Sequence, residues 1–153
     1  MRIDAIDHLV LTVRDLQVTM AFYTRVLGME AVTFGADRRA LAFGVQKINL
    51  HTAGRELEPK AAAPTPGSAD LCFVTSATPA MVLAHLRTCG VQIVEGPVPR
   101  TGARGPIVSV YFRDPDGNLL EVSSYASDEQ ARASAAPIAV AADGASLSPR
   151  GRR

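Results

Sequence analysis

Four residues stand out because each interrupts a stretch that is otherwise apolar: His8 in IDHLVLTV, His51 in KINLHT, Asp70 in SADLCFV and Glu121 in NLLEVSS. In an extended chain successive side chains point to opposite faces. His8 therefore shares a face with Val10 and Thr12, His51 with Asn49, Asp70 with Cys72, and Glu121 with Leu119 and Ser123. The neighbours Leu9, Leu11, Ile48, Leu50, Leu71, Phe73, Leu120 and Val122 fall on the opposite, apolar faces. A carboxylate in such a strand is costly to bury alone, so Glu121 needs a metal, a basic partner or solvent. Two imidazoles with one or two carboxylates suit a divalent transition metal with open positions, and hence Lewis-acid or oxygen chemistry. Whichever of Glu121 and Asp70 is less tightly engaged is then the proton carrier, and Glu121 is taken as the catalytic candidate.

Other reactive residues have plainer readings. Arg100, Arg104 and Arg113 surround the GARGP segment, where guanidinium groups suit a planar oxyanion. Arg104 and Arg113 are the substrate-binding candidates, with a solvated loop as the alternative. Cys72 reads as a small hydrophobe rather than a thiolate ligand. Phe22, Tyr23 and Phe112 read as core or rim, and His85 as exposed helix surface.

The elements that must carry these residues follow from periodicity. A strand is expected over Ile3–Val13, then a helix capped by Asp15 and ended by Gly28, with Val18, Phe22, Val26 and Leu27 as its apolar stripe. Strands over 29–34, 39–44 and 47–52 follow, punctuated by Gly35, Asp37 and Gly44. The stretch 53–68, AGRELEPKAAAPTPGS, has no periodicity and reads as a connector. The plan then begins again: a strand over 70–75, a helix opened by Thr78-Pro79 and ended near Gly90, and strands over 91–95, 107–113 and 118–124, the last two joined by the turn Asp114-Pro115-Asp116-Gly117. Sliding the chain by 62 residues lays Gly28 on Gly90, Leu9 on Leu71, Leu11 on Phe73 and His8 on Asp70. This is a duplication of a βαβββ unit too small to be stable alone. The expected architecture is α+β, with modules over 3–52 and 69–125 within a domain over 3–125. If their sheets curl into one cleft, His8, His51, Asp70 and Glu121 converge. Residues 126–153, rich in Ala, Ser, Gly and Arg, are expected to be a disordered tail.

Bulk composition narrows the partners. Sixteen basic against 15 acidic residues leave a formal charge of +1, which gives no general field for nucleic acid or an anionic membrane. Cys72 and Cys89 make no disulfide framework, the opening MRIDAIDHLV lacks a basic segment followed by a long apolar run, and no apolar stretch approaches the roughly 20 residues of a membrane span. A cytoplasmic protein with a small-molecule substrate is expected.

IDHLVLTVRDL, AFYTRVLGM, GARGPIVSVYFRDPDGNLLEVSSY and the duplication resemble the vicinal oxygen chelate superfamily, which includes glyoxalases, bleomycin-resistance proteins and extradiol dioxygenases, nearest its single-domain glyoxalase-like branch. The resemblance covers Ile3 to Tyr125. It implies paired modules forming an open barrel-like cleft, with His8, His51, Asp70 and Glu121 at the four ligand positions, and a divalent ion such as iron, nickel, zinc or manganese. It also implies a homodimer. A glyoxalase-type lyase or isomerase is the leading activity; an extradiol-type dioxygenase, a thiol transferase acting on an antibiotic and a metal-free drug-sequestering protein remain open.

Overall fold

The computed structural model describes residues 1–125, so the expected tail lies outside the described residues. The first module comprises β1 (His8–Val13), α1 (Leu16–Leu27), β2 (Glu30–Phe34), β3 (Arg38–Phe43) and β4 (Gln46–Thr52). The second comprises β5 (Asp70–Val74), α2 (Pro79–Thr88), β6 (Ile93–Gly102), β7 (Gly105–Arg113) and β8 (Leu119–Tyr125). Their sheets have the same strand order, β1-β4-β3-β2 and β5-β8-β7-β6, so the fold is α+β with two open mixed sheets. In each, the first and last strands pair in parallel and the remaining pairs are antiparallel. β1 and β5 are sheet edges, and neither sheet closes on itself.

Local chemistry sets the helix ends. The Asp15 carboxylate accepts from the backbone N–H groups of Gln17 and Val18, and Gly28 ends α1 at φ 65°. The Thr78 hydroxyl accepts from the Met81 N–H, with Pro79 as the first helical residue of α2. Both helices and the apolar faces of both sheets enter one core, built from Leu11, Val13, Val26, Leu41 and Ile48 of the first module and Leu86, Val110, Phe112 and Leu120 of the second.

Three departures from the sequence expectation have physical causes. β1 starts at His8 rather than Ile3: only Asp7 and Ile6, through their carbonyl oxygens, are tied to β4, by the Lys47 N–H and the Gln46 amide, and the preceding residues have no neighbouring strand. The buried face of α1 is Thr19, Tyr23 and Val26, while Val18 is half exposed. That rotation lets the fully buried Tyr23 donate its hydroxyl to Asp114 at 3.0 Å. β6 is longer than expected, running to Gly102 with two register shifts, so the GARGP segment contains a tight hairpin turn rather than an open loop. Gly96 sits in that irregular stretch at φ 122°, and a Cβ there would lie 2.6 Å from the Ser109 carbonyl oxygen. Only glycine allows β6 to approach β7 so closely.

The Asp114–Gly117 turn joins the two modules. Asp114 accepts from Tyr23, from the N–H groups of Asp116 and Asn118, and from the Asn118 amide. Asp116 in turn accepts from the backbone and guanidinium of Arg14. Burial, followed by the charge and hydrogen bond of Asp114, pushes the Tyr23 phenol far above its ordinary range, so it stays a donor.

Candidate active site

The polar face of the second sheet is built around Glu121. Opposite it in register stand Cys72 on β5 and Tyr111 on β7, and Ser109 lies opposite Ser123. Glu121 Oε1 accepts from Ser109 Oγ at 2.5 Å and from Ser123 Oγ at 2.9 Å, and the two serine oxygens are 2.8 Å apart. Both serines are fully buried, whereas Glu121 is only partly so. The hydroxyls therefore fix one carboxylate oxygen, Oε1. Burial pushes the Glu121 carboxyl up, but Ser109, Ser123, the Tyr111 phenol and Cys72 together outweigh it and hold the group below the usual glutamate range. The site is thus arranged for an ionised, oriented carboxylate.

Around it, Cys72 Sγ lies 3.4 Å from Ser123 Oγ. Burial and the charges of Glu121 and Asp70 raise its thiol against the Ser123 hydrogen bond, which favours a neutral thiol. Arg100 donates to Tyr111 at 3.2 Å and pairs with Glu95 at 3.0 Å.

His8 is prepared in a comparable way. Its Nδ1 lies 2.6 Å from Asp7 Oδ1, so this nitrogen donates to the carboxylate and the ring is oriented by it. A carboxylate behind an imidazole is a common support of a metal-binding histidine, and a hydrogen-bonded carboxylate such as Glu121 is its acidic counterpart. His8 and Asp70, with Cys72, line one broad groove of about 1110 Å³ between the modules, floored by Leu9, Phe43, Leu71 and Phe73. Glu121 stands beside Cys72 at its flank.

His51 is elsewhere. It lines a separate cavity of about 450 Å³ with Val10, Thr12 and the connector, and none of His8, Asp70 or Glu121 reaches that cavity. Register explains the separation. Lys47 lies opposite His8 while Leu119 lies opposite Asp70, so the repeat offset of 62 at β1 and β5 has grown to 72 at β4 and β8. Asn49 therefore occupies the place matching Glu121, and His51 the place matching Ser123. Asn49 Oδ1 and His51 Nε2 are both buried without a hydrogen-bond partner among the described residues. Among those residues no three His, Cys, Asp or Glu side chains of one chain stand close enough to hold a metal. One chain thus brings His8 and Asp70 to a common groove, sets Glu121 beside it and leaves His51 apart.

The arginines divide as well. The Arg104 guanidinium lies 4.3 Å over the Tyr125 ring, while Arg113 donates to the Gly117 carbonyl across the turn. His85 is exposed as expected, yet its Nε2 donates to the Val26 carbonyl and ties α2 to α1. Asn49, Ser109, Ser123 and Tyr111 were not among the expected site residues. The alternation Ser109-x-Tyr111 and Glu121-x-Ser123 was the available signal, since it places four polar groups on one face of adjacent strands.

Residues 5–122 match the Glyoxalase/Bleomycin resistance protein/Dioxygenase superfamily. The chain is 61% identical over 125 residues to virulence protein STM3117 of Salmonella typhimurium, covering 82% of this chain and 87% of that protein. Among solved structures, an integron cassette protein from the mobile metagenome of V. cholerae superposes with a TM-score of 0.81 at 60% identity, over 82% of this chain and 98% of that one. A lactoylglutathione lyase from Agrobacterium tumefaciens superposes with a TM-score of 0.62 at 25% identity, over 81% and 96%. No helix among the described residues is long and apolar enough to cross a membrane.

Proposed function

Because the chain belongs to the glyoxalase, bleomycin resistance protein and dioxygenase superfamily, we propose that it is a divalent-metal-dependent lyase or isomerase acting on a small metabolite with adjacent oxygen atoms. The observation that carries this reading is the Glu121 carboxylate, held ionised by its hydrogen-bond partners with Oε1 fixed by two buried serines. His8, Asp70 and Glu121 would hold the ion, which is iron, nickel, zinc or manganese. Their donor chemistry fits it: one imidazole backed by a carboxylate, one carboxylate backed by hydroxyls, and a second carboxylate on the groove between them. When bound, the ion supplies an electrophile for the two substrate oxygens.

The protein's own groups do the rest. The apolar floor of Leu9, Phe43, Leu71 and Phe73 binds the body of the substrate and excludes water from it. Ser109 and Ser123 keep Glu121 Oε1 engaged, so a proton taken from carbon moves to and from Oε2. A carboxylate whose proton affinity is held low returns that proton readily. The lactoylglutathione lyase likeness favours redox-neutral chemistry of this kind over the oxygenase alternative. Since the set is incomplete among the described residues of one chain, a second copy would close the groove, and the working form on this reading is a homodimer.

The test is elemental analysis of purified protein by mass spectrometry, with light scattering for the oligomer. Near one metal ion per chain in a dimer, lost in His8→Ala and Glu121→Gln, is the expected result. Protein that takes up none of the four ions overturns the metal reading, and a stable monomer that binds metal overturns the shared site.

A further inference from the structure

His51 poses a problem that the metal site does not solve. Its residue surface is 93% buried, its Nε2 has no hydrogen-bond partner among the described residues, and it lines a cavity of about 450 Å³ walled by the connector, β1 and Asn118. An unpaired buried polar atom is costly to keep, so its persistence asks for a function. The cavity wall supplies no second metal donor: its side chains include no carboxylate and no thiol, only Thr12, Thr65, Ser68, Asn118 and Lys60 beside apolar groups.

Those apolar groups include Val10, Leu11, Pro59, Ala61, Ala63 and Pro64, which suit a short aliphatic body. Lys60 is the one charged side chain of the lining. Its ammonium lies 3.2 Å from Glu58 and 3.9 Å from Glu56. The Glu58 pair is a weak hold, since that carboxylate is 75% exposed and solvent screens it. Glu56 accepts from the Gly54 N–H at 2.9 Å through Oε1 and keeps Oε2, on a side chain only 9% exposed, toward Lys60. Lys60 can therefore leave the exposed Glu58 for a sheltered anion while another of its three N–H groups stays toward Glu56, and an imidazole N–H can complete the recognition of the anion's oxygen. Gly67, at φ 77° with space for a Cβ closed off by the Asp116 carbonyl oxygen 2.6 Å away, holds the far end of the connector against the Asp114–Gly117 turn. The roof of the cavity is thus anchored at that end by the turn that links the modules.

We propose that this cavity is a binding site for a small aliphatic monocarboxylate, with Lys60 supplying the charge, His51 the buried hydrogen bond and the prolines and alanines the apolar wall. The site is separate from His8, Asp70 and Glu121 and does not depend on the metal reading.

The test follows the ring C–H resonances of the three histidines by NMR while sodium butyrate, and in parallel the uncharged isostere butyramide, is added at constant pH and ionic strength. His51 is assigned with His51→Gln. Expected is a saturable shift of His51 with butyrate in the millimolar range, little change at His8 and His85, and no matching shift with butyramide. Lys60→Met, verified as folded by an unchanged Tm, weakens butyrate binding roughly tenfold, and Glu121→Gln leaves it unchanged. A His51 signal unmoved by about 100 mM butyrate, a site for which even millimolar affinity is absent, overturns the proposal. Equal shifts with butyramide, or unchanged affinity in Lys60→Met, overturn the anion recognition. Zinc shifting His51 together with His8 returns His51 to the metal set and overturns the separate site.

Discussion

β4 and β8 are the same strand in two copies of one unit, and they have diverged at matching places. On β8, Glu121 accepts hydrogen bonds from Ser123 and, across the strands, from Ser109. On β4, the matching Asn49 and His51 are buried with Oδ1 and Nε2 unpaired. The duplication preserved pairing and core, because a one-residue slip would turn the whole apolar face outward. The polar faces were free to change. On the proposed reading, the second module fixes a carboxylate for chemistry and the first keeps open groups for a ligand to satisfy.

The contrast holds only while the modules fold as one body, so its severest challenge is at the junction. Asp114→Ala strands four donors, two of them backbone N–H groups. A loss of about 3–5 kcal/mol in urea unfolding is expected. Loss below about 1 kcal/mol would mean that the modules are coupled in some other way.

Next in size is the clamp. Ser109→Ala leaves Glu121 in place but loosens Oε1, and metal affinity should fall about 10–100-fold. The pH profile gives the sign. Burial raises the Glu121 carboxyl but the hydroxyls hold it below its ordinary value near ~4.3, so metal binding persists above that range and fails as pH falls through the lowered value. Removing Ser109 must move that acid limb upward; an unmoved limb would make the serines structural only. Asp7→Asn is the milder counterpart behind His8, where an exposed pair should cost about tenfold or less in metal affinity. Calorimetric titration against wild type reads both.

The smallest effect is on β4. Asn49→Val removes an unpaired oxygen and supplies a residue suited to a strand, so Tm should hold or rise, by up to about 1 kcal/mol in stability. A clear loss would show that Asn49 already has a partner in the assembled protein.

Much of the fold was legible because its signals are local or repeated. Asp15, Gly28 and Thr78 announce the helix ends, and the offset of 62 announces the second module. The face of α1 was not legible, since Val18 and Tyr23 both fit a helical stripe and only the distant Asp114 decides between them. Within the site, His8 and Glu121 could be found as polar breaks in apolar strands. Asn49 could not, because the longer β6–β7 hairpin shifts the offset to 72 and pairs Glu121 with a place two residues before His51. For Ser109 and Ser123 the alternation with Tyr111 and Glu121 marks a shared polar face, but their meeting depends on a register across two strands.

The division of labour between β4 and β8 is tested most directly by calorimetric titration of manganese into Glu121→Gln and His51→Gln side by side. The account predicts that Glu121→Gln loses at least about 100-fold in affinity while His51→Gln binds as the wild type does. Equal losses in the two variants would place His51 among the metal ligands and contradict it.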